Sequence, residues 1–126
     1  ENLKYSDGTF DIVTIGYGVR NFTNLNNSLN EIYRVLKKDG LLIILETSLP
    51  TNPLMSFFYN IHTKFYVRLI GKMFSNNSNA YQYLESSAKI FPYGEEFKKI
   101  LRDANFIDII EEVKLFGAST LYISKK

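Results

Sequence analysis

The sequence predicts an α/β fold in which parallel strands end in an antiparallel hairpin, and three patterns carry that expectation. Two short apolar runs, Phe10 to Gly16, rich in β-branched residues, and Leu41 to Glu46, bracket one amphipathic segment. Runs of that length read as strands buried in a parallel sheet. The three segments therefore form a βαβ unit with a right-handed crossover. Two further apolar stretches near the end, with Gly117 between them, are joined closely enough to require an antiparallel pair. At 126 residues the chain has room for one domain, and its 45% hydrophobic content supplies a core that a disordered tail lacks.

Each element has a local cause. Asp7-Gly8 is a turn signal ahead of the first strand, and Gly16-Tyr17-Gly18 ends that strand. Two glycines so close imply a tight turn or a backbone that approaches a ligand. Thr23 to Asn27 offers several N-cap residues. Leu29, Ile32, Tyr33 and Leu36 then recur at i, i+3, i+4 and i+7, the apolar stripe of a helix. Lys37-Lys38-Asp39-Gly40 closes it, with basic residues in the last turn and glycine past the end.

After the second strand, Pro50 and Pro53 break the chain, and an aromatic helical insert of about 54–90 follows. Within it Leu54 to Phe74 has helical period, with Lys64, Arg68 and Lys72 at i, i+4 and i+8. Ser75 to Asn79 reads as a polar loop and Tyr81 to Ile90 as a short helix. Phe91-Pro92-Tyr93-Gly94 introduces a helix from Glu95 to Ala104, acidic at its start as the macrodipole prefers. Asn105 stands where a left-handed C-cap is expected. Phe106 to Val113 and Leu115 to Ser124 are the last two strands. The order is doubly wound in style, and such sheets bind ligands beyond the carboxyl ends of their strands. Here that rim carries Gly16 to Asn21 and Glu46 to Ser48.

Composition excludes several functions. Fifteen Lys and Arg against thirteen Asp and Glu leave a net charge of +2 with no dense basic stripe, which argues against nucleic-acid binding by phosphate neutralisation. The absence of cysteine removes disulfides, thiolate metal sites and a cysteine nucleophile. The single His62 excludes a two-histidine metal site, and with no acidic neighbour in sequence it reads as structural. No apolar run is long enough for a membrane-spanning helix.

Three stretches resemble a known family. Gly18-Val19-Arg20-Asn21 follows the first strand, and Arg34-Val35-Leu36-Lys37 leads through Gly40 and an apolar strand to Glu46-Thr47-Ser48. Further on stands Tyr81-Gln82-Tyr83-Leu84 with Ser87. These match the Gly-x-Arg-Asn, Arg-Val-Leu-Lys…Glu-x-Ser and Tyr-x-Tyr-Leu patterns of class I, S-adenosylmethionine-dependent methyltransferases. More narrowly, they resemble the quinone C-methyltransferases of menaquinone and ubiquinone biosynthesis. The terminal Phe116-Gly117 suits the menaquinone branch. Lys38-Asp39 stands where the family has Pro-Gly, Lys4-Tyr5 where it has Pro-Phe, and Asn105 where it commonly has Gly.

The resemblance covers essentially the whole chain and implies the C-terminal part of a Rossmann-like methyltransferase fold. It places the glycine-rich loop and the ribose-binding acid upstream of Glu1, with two or three strands and their helices. A chain lacking them is expected not to turn over alone, and to leave an apolar sheet edge exposed. The implied reaction is C-methylation of a prenylated quinol, demethylmenaquinol to menaquinol in type, with S-adenosyl-L-methionine as methyl donor. The implied location is cytoplasmic, with peripheral contact at the inner face of the membrane.

Ring methylation needs an electron-rich carbon, an electrophilic methyl and an acceptor for the ring proton. A cation beside the ionising hydroxyl stabilises the developing phenolate. Arg20, at the rim, is the candidate; arginine stays protonated and is no base, but it can polarise a water that takes the proton, the role the resemblance implies. The alternative is an arginine paired with a neighbouring carboxylate. Asn21 would orient the water or the quinol oxygen, or else cap a turn. The resemblance aligns Gly16 with a cofactor contact, the alternative being close strand packing, and Glu1 just after the family's adenine-contacting dipeptide, which makes both cofactor-binding candidates. Tyr81 and Tyr83 would line the quinone pocket or serve as ordinary core. Glu46 and Ser48 lie at the same rim as site residues or as a strand-end pair bonding backbone groups. The aromatic insert reads either as a lid over a prenyl tail, touching anionic headgroups, or as a helix packed on the core. Two other functions stay open: methylation of another small hydrophobic acceptor, and a noncatalytic role in binding lipid or a partner.

Overall fold

The computed structural model describes residues 2–61 and 90–126. In chain order these form β1 (Phe10–Gly16), α1 (Leu25–Val35), β2 (Leu36–Thr47), α2 (Pro53–Ile61), α3 (Glu95–Asp103), β3 (Ile107–Lys114) and β4 (Ser119–Lys125). The described strands make one sheet in the order β1-β2-β4-β3. β1 runs parallel to β2, while β4 is antiparallel to both β2 and β3. The parallel βαβ unit and the terminal antiparallel pair are thus as expected. The last strand returns to the middle, so β4 is hydrogen-bonded on both sides and β3 forms an outer edge.

The helices assemble by ordinary burial. Asn24 caps α1 by accepting from the Asn27 amide at 3.0 Å. Leu29 and Ile32 of α1 and Phe97 and Leu101 of α3 join Leu42 and Ile44 of β2 and Tyr122 of β4 in one cluster. Leu42 and Ile44 alternate along β2, so both helices cover the same face of the sheet. Each such side chain contributes about 1.5–3 kcal/mol relative to exposure. The Tyr122 ring meets Phe97 edge-on at 4.8 Å. Its hydroxyl accepts from the Gly94 amide at 2.8 Å, satisfying a donor just ahead of α3. Burial pushes the Tyr122 phenol up.

Four details depart from the sequence-based expectation. α1 stops at Val35, because Leu36 turns extended and pairs with Phe10. Regular pairing then resumes at Ile12 and Leu41, leaving Lys37 to Gly40 as an irregular stretch in which Asp39 takes φ 64. Lys125 holds that Asp39 carboxylate at 2.8 Å. The β1 run is not buried on both sides: Ile12 is 52% exposed, on the sheet face opposite the core cluster. Leu115 does not start a strand. Leu115–Gly117 is a 3₁₀ turn, because Gly117, at φ +99, packs so tightly that a Cβ there would lie 2.8 Å from Pro50 Cα. Asn105 takes φ 69, the left-handed C-cap that its position implied.

Two cations tie the ends of the chain to α1. Arg34 donates to the Leu3 and Tyr5 carbonyls at 3.1 and 2.8 Å, and to Asp7 and Glu31 at 2.7 and 2.9 Å. Lys126 donates to the Tyr33, Arg34 and Leu36 carbonyls at 2.6, 3.3 and 2.7 Å, which caps the helix C-terminus.

The Arg34 guanidinium and the Leu3 amide hold the Glu31 carboxyl down from 4.5 to about 2. Lys125 lowers Asp39, and Lys98 lowers Glu95, in the same way. Because these folded-state values lie below the unfolded ones, the unfolded chain takes up protons first as pH falls. The stabilisation is complete above the ordinary carboxylate range and disappears, for Glu31, between about 4.5 and about 2. Urea midpoints measured across that window should fall, and Glu31→Gln should remove its share of the slope.

Candidate functional site

The carboxyl ends of β1 and β2 lie side by side, since their parallel register runs through Ile15↔Ile44 to Gly16↔Leu45. The chain leaves β1 at Gly16, turns at Tyr17 with φ 51, and enters a short 3₁₀ turn, Val19–Asn21. Val19 is buried and anchors that turn to the core. Arg20 is thereby placed against the end of β2.

There it meets Glu46. The Arg20 Nη1 donates to Glu46 Oε1, and the Arg20 amide approaches Oε2 at 3.4 Å. Thr47 completes the set: its amide and hydroxyl donate to Oε1 at 2.8 and 3.2 Å, and its Oγ1 accepts from Arg20 Nη1 at 3.3 Å. The Arg20 and Glu46 side chains are 9% and 1% exposed. The arginine paired with a neighbouring carboxylate is therefore the arrangement found, and Arg20 is not a bare cation. A neutralised pair stabilises a distant anion weakly, yet it retains oriented N–H donors. One of them, the buried Nε, meets no acceptor among the described residues. An unmet buried donor costs about 1–3 kcal/mol, which an incoming oxygen would recover.

A second layer joins residues far apart in sequence. The Tyr17 hydroxyl shares a hydrogen bond with Ser119 Oγ at 3.1 Å, so the ring spans the end of β2 to reach β4. Ser48, buried, donates to the Gly117 carbonyl at 2.8 Å and accepts from Thr120 Oγ1 at 2.9 Å. Both residues thus bond backbone groups, as their alternative reading has it, and Glu46 in addition holds the Arg20 side chain. Asn21 ends the 3₁₀ turn, exposed, with its amide bonded to the Gly18 carbonyl at 3.0 Å. Gly16 is exposed, and a Cβ built on it would meet nothing within 4 Å among the described residues, so packing of the described strands does not require glycine there. That open space fits a ligand approaching the strand end. Glu1, His62, Lys64, Arg68, Lys72, Tyr81 and Tyr83 lie outside the described residues.

Thr47, Tyr17 and Ser119 were not singled out from the sequence as site residues. Thr47 has only its place inside Glu46-Thr47-Ser48 as a signal, and Tyr17 its place between two glycines. Nothing local marks Ser119, whose partner is 102 residues away.

A parallel pair with its intervening helix, closed by an antiparallel return strand and carrying a polar rim at the carboxyl ends, is the architecture of S-adenosylmethionine-dependent methyltransferases. A solved methyltransferase of that kind from Thermotoga maritima aligns with TM-score 0.61 at 21% identity, over 99% of this chain and 60% of its own. The phosphoethanolamine N-methyltransferase 2 of Haemonchus contortus, solved with S-adenosyl-L-methionine, aligns with TM-score 0.63 at 12% identity, over 98% and 34%. The profile of the ubiE/COQ5 methyltransferase family matches residues 1–126, and the chain belongs to that family. The demethylmenaquinone methyltransferases of Bacteroides fragilis and Staphylococcus epidermidis are 37% and 38% identical over 125 residues, each across 99% of this chain. That of Chlorobaculum parvum is 39% identical over 126 residues and covers all of it. The chain spans about half the length of these relatives, between 51% and 52% of each.

Two glycines separate the functional from the structural requirement. Gly16→Ala should leave the denaturation midpoint within the equivalent of about 0.5 kcal/mol of the parent. Gly40→Ala, whose Cβ would lie 2.9 Å from the Lys37 carbonyl and 3.1 Å from that of Asp11, should lose about 1–3 kcal/mol by the same measurement.

Proposed function

We propose that this chain is the C-terminal part of a single methyltransferase domain that methylates a ring carbon of a prenylated quinol, of the demethylmenaquinol type. Relatives named demethylmenaquinone methyltransferase support the substrate class. The observation that carries the chemical reading is the buried Arg20 Nε with no acceptor among the described residues, at the carboxyl rim of the sheet.

In this reading the quinol oxygen accepts from Arg20 Nε. As that hydroxyl passes its proton to water, the neighbouring ring carbon becomes nucleophilic and bonds the methyl as the methyl–sulfur bond breaks. Loss of the ring proton and return of one proton to the oxygen restore the quinol, with one proton released per methyl. A preoriented donor is worth more at the transition state than in water. S-adenosyl-L-methionine, when bound, supplies the electrophilic methyl. Gly16 is the residue of this chain suited to hold it, through the space a side chain would occupy. Arg20 also polarises a water that accepts the ring proton, and Asn21 orients that water or the quinol oxygen. Glu1 near the adenine, and Tyr81 and Tyr83 against the ring, remain part of the proposal. The exposed Leu54, Phe57 and Phe58 on α2, the helix that follows β2 in sequence, support an apolar tail or a lipid surface as what the chain meets.

Arg20→Ala would strand Glu46 in the interior, at a cost of about 3–5 kcal/mol, and so confuses folding with chemistry. Arg20→Lys keeps a charge for Glu46 but has no Nε donor. In the full-length enzyme it should fold, by circular dichroism and urea midpoint, and lose about 100- to 1000-fold in kcat for quinol methylation. A near-parental kcat would overturn the role of Arg20. Equal rates with unrelated hydrophobic acceptors would instead overturn the quinol.

A further inference from the structure

We infer that Glu46 is a positioning residue of this site: it holds Arg20 by Nη1, with the Arg20 amide facing its other oxygen, and so fixes the buried Nε, which has no acceptor among the described residues, as the donor that a substrate oxygen would meet. The inference rests on the reading of the reaction given above and adds the group that makes Arg20 competent for it.

The carboxylate oxygen Oε1 is fully committed. Oε1 accepts from Arg20 Nη1, the Thr47 amide and the Thr47 hydroxyl, while Oε2 faces the Arg20 amide. A carboxylate has about four acceptor positions, so Glu46 has little capacity left to take a substrate proton or bond a substrate hydroxyl directly. Its effect therefore passes through Arg20. Gripping both the main chain and the side chain of one residue removes two kinds of freedom, the path of the 3₁₀ turn and the rotation of the long arginine arm. The guanidinium is planar with its donors in a fixed fork, so holding one nitrogen sets the direction of the others. Thr47 adds a second contact to the same Nη1 and none to Nε.

Stability alone does not account for the pair. Apolar residues of similar volume often replace a buried ion pair with no loss of stability. What an apolar pair would not do is aim a donor. A ring oxygen misplaced by a fraction of an ångström at the transition state is costly in rate, and that is the quantity Glu46 controls.

The test uses the full-length enzyme with the quinol acceptor and S-adenosylmethionine. Glu46→Gln should lower kcat by about 10- to 100-fold, with the KM for S-adenosylmethionine within about twofold of the parent. Adding Arg20→Lys should cost no more than Arg20→Lys alone, because the two act as one unit. Thr47→Val buries no unpaired charge, so it decides the matter should Glu46→Gln fail to fold; it should lower kcat by about three- to tenfold in a protein that still folds cooperatively, at a lowered urea midpoint. Unaltered kcat in Thr47→Val and in folded Glu46→Gln, with Arg20→Lys impaired, would overturn the role of Glu46 and leave the proposed reaction standing. Fully additive losses in the double variant would overturn it too. If Arg20→Lys is itself unimpaired, the reading of the reaction fails first and this inference fails with it.

Discussion

A carboxylate at the end of a central strand, buried to 1% exposure, has to be compensated, and the way it is compensated organises this end of the molecule. Glu46 draws in Arg20 from the turn after β1 and the amide and hydroxyl of its own neighbour Thr47. Because β1 and β2 are parallel and in register, the two strands end together and the turn passes directly over the carboxylate. The pair is therefore a constraint on the backbone as much as on two side chains. It ties the Val19–Asn21 turn to β2 and leaves the buried Nε as the guanidinium donor without an acceptor among the described residues.

The return of β4 to the middle of the sheet supplies the rest. With β4 beside β2, Ser119 and Thr120 stand next to Thr47 and Glu46. That adjacency lets Tyr17 reach Ser119 and lets Ser48 bond both Gly117 and Thr120. Gly117 has to be glycine on two counts, its φ of +99 and its approach to Pro50. The same turn exposes Leu115 and Phe116 at positive φ. A strand that looks continuous in the sequence is thus interrupted by a contact with a loop more than sixty residues earlier.

Most of the architecture was legible because its causes are local. The stripe of Leu29, Ile32 and Tyr33 makes α1 amphipathic wherever it is placed, and the apolar run from Leu41 has no comfortable place except a buried strand. Asn105 adopts φ 69 because asparagine tolerates the left-handed region at a helix end. The boundaries that shifted are those where a distant partner competes with local preference. Leu36 fits the helical stripe, yet pairing with Phe10 pulls it into the sheet. Ile12 belongs to a run that looks buried on both faces, yet the described helices cover only one.

The sequence by itself determined the α/β class, the parallel unit and the antiparallel close, since these follow from periodicity and short connections. It also marked Gly16 to Asn21 and Glu46 to Ser48 as the rim, because strand ends can be read from composition. Tertiary structure alone decided which partner Arg20 takes. A long side chain with a fixed charge pairs with whichever acid the sheet register brings within reach, and register is a property of two strands together. For the same reason, only the folded chain distinguishes Glu46, which holds the arginine side chain as well as backbone amides, from Ser48, which bonds Gly117 and Thr120 two residues further on.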